Sequence, residues 1–268
     1  ARIVSFKLGG DEVLADASAN PNFWGSTLWT SPANDWVLPG TFVPPPAVDS
    51  DPYTTTVSDD GVITATSARY VTPNGKHLVV SKVFRADLAK RAVVVEYGLK
   101  NLGATAFRLS HWEVTRVRPN GLTFFLTGGS PKLDFLKQPV VMQRAGGYSW
   151  YDNVSHQMGK GESKAGSDSP GGFIAHVVPR AGGDLLFIKA FEPVPAAYAP
   201  PDHYPHEIYC NDSHTYVELE NHSSYDEVAP GATYTQSVKW YLRRLPNGTD
   251  RSVGSMALTS AATTALGN

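Results

Sequence analysis

The chain has 268 residues, 25 acidic and 23 basic, and a formal net charge of −2. That balance argues against an extended nucleic-acid footprint or a polybasic membrane anchor, both of which need clustered Lys and Arg, and no apolar run approaches the ~18–20 residues that span a bilayer. A hydrophobic content of 41%, with 11 Phe, 6 Trp and 12 Tyr, suits a packed core, and the single cysteine, Cys210, excludes an intrachain disulfide framework or a cysteine-based zinc cluster.

Residues 3–8 alternate apolar and polar, and Gly9-Gly10-Asp11 turns them into 12–15, which predicts a hairpin. The abrupt opening reads as the middle of a strand. It predicts a longer precursor and an exported, periplasmic or secreted protein. Two more hairpins are expected, over 57–67 around Asp59-Asp60-Gly61 and over 68–84 around Pro73-Asn74-Gly75. Residues 85–90 hold the only helical turn. Further strands are predicted at 92–100, 106–118, 122–126, 139–143, 172–178, 184–191, 206–210, 214–220 and 232–244.

Three stretches read as long loops: 18–54 with Trp24, Trp29 and Trp36; 144–171 with Tyr148, Trp150 and Tyr151; and 192–206 with Tyr198, His203, Tyr204 and His206. Their aromatic content marks them as functional rather than disordered. The Ser/Thr/Ala-rich residues from Arg251 predict a loose tail. Ten or more strands with almost no helical periodicity predict an all-β fold. The expected architecture is one large antiparallel sandwich over residues 1–250, with a tail over 251–268.

Four groups of residues invite a chemical reading. On the strand around residue 111, alternation places His111, Glu113 and Thr115 on one face and Trp112, Val114 and Arg116 on the other. A His and a carboxylate two residues apart suit a paired acid and base, or an ordinary solvated face. In 216–222, Val217 and Leu219 read as core-facing, so Glu218 and Glu220 project together. Their repulsion raises one pKa if the face is buried, and means nothing on an exposed edge. The His-rich run 202–214 suggests a metal, but Pro205 denies His203 and His206 a helical spacing. A hydrogen-bonding role for His206 in a sugar pocket is more economical, and no metal is expected. The loop tryptophans serve as core plugs or as platforms for sugar C–H faces. No nucleotide-binding glycine loop, nucleophile elbow or zinc-protease helix is present, so no cofactor is expected.

Gly25-Ser-Thr-Leu-Trp-Thr-Ser-Pro32 with Trp36, Trp112-Glu-Val-Thr-Arg-Val117, Tyr216-Val-Glu-Leu-Glu220, Ala229-Pro-Gly231 and Trp240-Tyr-Leu242 together resemble the galactose mutarotase-like (aldose 1-epimerase-like) superfamily. The likeness spans most of residues 1–245 and looks like a bacterial branch of that superfamily. It implies a large β-supersandwich that handles carbohydrates. His111 is the position most similar to the family's catalytic His, and Glu220, ten residues before Pro230, to its catalytic Glu, with Glu218 as competitor and Glu113 as a further candidate. The family's Asn-x-Thr-x-His-x-Tyr-Phe-Asn-Leu stretch and its Asn-Arg-Ile pattern are missing here.

The resulting expectation is a carbohydrate-active protein with an epimerase-like pocket. Glu220 or Glu218 serves as base, His111 as acid, and Trp24, Trp36, Arg116, Trp150 and His206 as sugar contacts. Two alternatives stand beside it: a non-catalytic carbohydrate-binding protein, and a polysaccharide lyase. The expected partner is a mono- or oligosaccharide, with no nucleic acid and no membrane insertion.

Overall fold

The computed structural model describes residues 1–38, 42–128, 142–153, 161–168 and 170–267. Alternation and glycine turns set the early elements. β1 (Lys7–Leu8) and β2 (Asp11–Glu12) form the opening hairpin through Gly9 at φ +64°. β3 (Ser26–Ser31) follows, then a helical turn α1 (Pro46–Asp49), β4 (Thr54–Val57), β5 (Ile63–Thr66), β6 (Tyr70–Val71), β7 (His77–Asp87), β8 (Ala92–Asn101) and β9 (Phe107–Val117). The second half holds β10 (Leu122–Leu126), β11 (Gln143–Ala145), β12 (Tyr148–Asp152), β13 (Ser163–Ser167), β14 (Phe173–Val178) and β15 (Leu185–Phe191). It closes with β16 (His206–Cys210), β17 (Val217–His222), β18 (Asp226–Val228), β19 (Thr233–Arg244) and helix α2 (Met256–Leu266).

Among the described residues, the strands other than the β1-β2 hairpin form two antiparallel sheets. The larger runs β11-β12-β10-β14-β15-β19-β8-β7-β5-β4, with β6 on β7. In the smaller, β13-β16-β17-β9 lie in that order and β3 pairs with the other edge of β9. The chain leaves β17 through a kink at Ser223, whose N–H still donates to the His111 carbonyl, and then pairs with β9 again as β18.

Both faces of β9 and β17 are buried, because the inner face of the small sheet packs on the large one. A fully buried ionic cluster ties the two. Glu113 of β9 accepts from the Tyr97 hydroxyl at 2.6 Å and the Trp240 indole at 3.2 Å, and lies 3.2 Å from the Lys189 ammonium. Lys189 also donates to the Leu219 carbonyl. Four strands thus converge on one carboxylate, which favours one register of sheet on sheet. Helix α2 covers the opposite face of the large sheet, with Leu258 and Ala262 against Leu186, Ile188 and Tyr241.

Several expectations need correction. The segments 18–54 and 144–171 are not continuous loops, since β3, β12 and β13 lie within them. β3 is buried along its whole length, and Gly25 admits it: a Cβ there would fall 2.6 Å from the Ile3 carbonyl oxygen. Residues 139–141 of the expected strand 139–143 lie outside the described residues, and β11 begins at Gln143. Residues 85–87 belong to β7 rather than to a helical turn. The expected tail is a helix, capped at Ser255, whose hydroxyl accepts from the Leu258 N–H, and closed by Gly267 at φ +86°.

Candidate functional site

The outer face of the small sheet is the floor of a cavity of about 540 Å³. Strand alternation decides which side chains reach it. Register pairs Glu218 with Arg116, Glu220 with Val114 and with Glu207, and Trp112 with both Trp29 and His222, so these residues share the outer face. From β13 come Lys164 and Gly166, and from β16 Tyr209 beside Glu207. Loops close the sides: Ala33 and Phe42 from one, Asp202, His203 and Tyr204 from another. Gly166 leaves room for the Tyr204 ring, which a Cβ would meet at 2.0 Å.

One wall is aromatic. Trp29 and Trp112 meet edge to face at 5.1 Å, and Phe42 lies 5.6 Å from Trp29 and 6.3 Å from Trp112. Trp36 supports this cluster from behind, 5.9 Å from Trp29, with its indole N–H on the Thr30 carbonyl.

The other wall is ionic. The Lys164 ammonium lies 2.6 Å from Glu207 Oε2, 3.1 Å from Glu220 Oε2 and 5.1 Å from the Trp112 ring centre. Glu207 Oε2 also lies 3.2 Å from His203 Nδ1 and from His222 Nε2, and Oε1 accepts from the Tyr204 N–H at 3.0 Å. Burial alone would raise the Glu207 pKa, but Lys164 and the imidazole donors hold it well below the usual carboxylate range. An ionised carboxylate only accepts, so His203 donates through Nδ1 and His222 through Nε2. Burial lowers the His222 pKa to about 4, which keeps the ring neutral and lets Nδ1 accept from the Ser31 hydroxyl at 3.1 Å. The His203 ring lines the cavity, with Nε2 on the side away from the Nδ1 that meets Glu207.

Glu220 behaves oppositely. Burial, opposed by Lys164 and reinforced by Glu207 and Glu218, pushes its pKa up to about 8, so it holds its proton at neutral pH. It lies fully buried under the cavity floor, with Oε2 accepting from the Trp112 indole at 2.5 Å. Glu218 does line the cavity. Burial raises its pKa, against Arg116, whose Nε donates to Oε1 at 2.7 Å. The Arg116 guanidinium is itself buried, 5.1 Å from the Trp29 ring and 5.4 Å from the Phe23 ring.

The structure thus brings Glu218, Glu220 and Arg116 together, sets Trp36 behind the aromatic wall rather than in the lining, and separates the other expected residues from them. His111 and Glu113 project from the inner face of β9, into the space between the sheets, so His111 does not meet Glu220 across a pocket. His111 lies 4.7 Å from the Tyr234 ring, and its Nδ1 is 3.1 Å from the Ser223 hydroxyl. His206 is also inside, against Phe125 and Phe191. Trp150 stacks on Phe124 under α2, on the far side of the large sheet. Trp24 sits beside Arg2, away from the cavity lining. Sequence reasoning missed Lys164, Glu207 and His222. The alternation of Glu207 and Tyr209 against Glu218 and Glu220 held the signal for Glu207.

His203, Glu207 and His222 bring ligand atoms within 4.8 Å of one another, a set that could hold a metal ion. The Lys164 ammonium already fills the cation position beside Glu207 Oε2, and both imidazoles point N–H groups at that carboxylate.

No protein-family model matches the sequence, and no curated protein matches it significantly. Solved structures do match its shape. A candidate aldose 1-epimerase from Escherichia coli K12 superposes with a TM-score of 0.54 at 12% identity, covering 91% of this chain and 93% of the other. The Slr1438 protein from Synechocystis sp. PCC 6803 gives 0.53 at 13%, covering 90% and 88%. A TPR-domain containing protein from Parabacteroides distasonis ATCC 8503 gives 0.53 at 14%, covering 94% of this chain and 47% of that one. The chain has the galactose mutarotase-like fold. Identities this low establish that all-β sandwich architecture and leave the chemistry to the residues of the cavity.

Proposed function

We propose that the cavity binds a carbohydrate and that its side chains act on the sugar ring as acid and base. One observation carries this reading. Aromatic rings (Trp29, Trp112, Phe42) face carboxylates and an ammonium (Glu207, Glu218, Lys164) across a space within the ~300–1,000 Å³ of small-molecule sites. A sugar presents C–H faces to such rings and hydroxyls to such charges. The aldose 1-epimerase name borne by the E. coli structure agrees with it. In this reading Glu218 takes the proton of the anomeric hydroxyl while His203, carrying protons on both ring nitrogens with Nδ1–H on Glu207, protonates the ring oxygen from Nε2. The bond from the anomeric carbon to the ring oxygen breaks and the carbon becomes an aldehyde. Rotation of that aldehyde and the reverse transfers close the ring with the opposite anomeric configuration and restore both groups.

The second reading, carbohydrate binding without turnover, is favoured by the burial of His111 on the opposite face of the sheet from Glu220. Proton NMR of fresh anomers over a monosaccharide panel, with tryptophan fluorescence in parallel, separates the two. Exchange faster than buffer supports catalysis. Saturable fluorescence change without exchange leaves binding alone, and neither signal with any sugar refutes the proposal.

A further inference from the structure

The cavity has a second aromatic region. Tyr209 and Tyr216 line it together with Trp29, Trp112 and Phe42, and the two tyrosine rings meet at 6.3 Å. Cross-strand register separates the two regions. Tyr209 pairs with Glu218 and Trp112 with His222, four residues further along β17, so the two positions stand roughly 13 Å apart along the sheet. Phe23 lies between them in the lining, 6.4 Å from Trp29. The buried Arg116 guanidinium sits 5.1 Å from the Trp29 ring, 5.4 Å from Phe23 and 5.8 Å from Tyr216, and ties both regions into one floor. The Tyr209 hydroxyl donates to Glu162 at 2.9 Å, which fixes that ring as well.

The space exceeds one sugar. A hexopyranose has twelve non-hydrogen atoms, and even at the ~30 Å³ that each molecule of liquid water claims it falls well short of the 540 Å³ of the cavity. In the carbohydrate reading the reacting ring lies between the aromatic and ionic walls, within reach of Glu218 and His203. The tyrosines carry the lining on past that point: Tyr209 is paired with Glu218, and Tyr216 precedes it by two residues. A second ring linked to the first buries its apolar face there, a gain that a single hexose forgoes. Resting on that reading, we infer that the substrate is a reducing oligosaccharide. Its reducing unit sits between Trp29, Trp112 and the ionic wall, and the next unit lies over Tyr209 and Tyr216.

Three ladders, titrated by calorimetry, test this: glucose, cellobiose and cellotriose; glucose, maltose and maltotriose; galactose, galactobiose and galactotriose. In at least one ladder the disaccharide is expected to bind about tenfold more tightly than its hexose. Tyr209→Ala should shrink that gap to within about threefold, while Tyr209→Phe, which keeps the ring and loses only the hydroxyl, should preserve it. The native ladders decide the matter even where Tyr209→Ala does not fold. Three flat ladders, a gap that survives Tyr209→Ala, or a gap lost as fully in Tyr209→Phe overturns this inference while leaving sugar binding intact. No binding of any member overturns it together with the carbohydrate reading.

Discussion

Replacing Lys164 by Met tests whether one ammonium holds the ionic wall together. Met keeps most of the apolar stem and removes the ammonium that sits 5.1 Å from the Trp112 ring centre. The ammonium contacts Glu207 at 2.6 Å and Glu220 at 3.1 Å, and both carboxyls are buried. Breaking a buried ion pair costs about 3–5 kcal/mol when the remaining charge is stranded. Two features reduce that here. Lys164 is 18% exposed, so water can reach the vacated position, and Glu207 keeps the donors on His203, His222 and the Tyr204 backbone. A loss of about 2–3 kcal/mol is therefore expected in urea unfolding at pH 7, with an unchanged m-value. The cycle with Glu207→Gln isolates the pair: the double variant should cost clearly less than the sum of the single ones. A single-variant loss under about 0.5 kcal/mol, or strict additivity, would show that the ammonium is solvated and that the wall does not depend on it.

Glu220→Gln should change how stability depends on pH. The folded-state pKa of Glu220, about 8, lies above its ordinary value of 4.5. Its stabilising protonation is therefore complete below pH 4.5 and lost as pH rises through 8, so the variant should gain on the native protein from pH 5 to pH 8; parallel unfolding curves would contradict this. Gly166→Ala places a Cβ 2.0 Å from the Tyr204 ring. The displaced ring should cost about 1–3 kcal/mol and weaken sugar binding, measured by calorimetry; native affinity would refute the packing at the cavity mouth. For any sugar that turns over, His203→Gln should slow exchange by about 100-fold or more. His111→Gln should instead lower unfolding stability by about 1–3 kcal/mol, through its contact with Ser223, and spare the rate. A greater rate loss in the His111 variant would reverse the assignment.

Period-2 patterning and turn chemistry were enough to read most strands, because each strand carries its own alternation and each hairpin its own glycine. Strands β3, β12 and β13 escaped because they sit among Pro, Gly and Ser, and their stability comes from neighbours: β3 is buried along its whole length against β9. Helix α2 escaped because small residues such as Ala262 form its packing face, so its apolar stripe is weak until the large sheet is there to cover.

The site divides in the same way. Alternation fixed which residues share a face of a strand, so His111 with Glu113, and Glu218 with Glu220, were legible as pairs. Alternation says nothing about which face of one strand matches which face of the next. Cross-strand register decided that, placing Arg116 and Trp112 beside Glu218 and Glu220 and sending His111 to the other side. The charged neighbours of Glu220, Lys164 and Glu207, stand 56 and 13 residues away along the chain, so the burial and charge that set its pKa exist only in the folded sheet. Local sequence determined the strands and their two faces; tertiary pairing alone determined which face became a cavity and which became core, because that choice depends on what the neighbouring strands and loops bury.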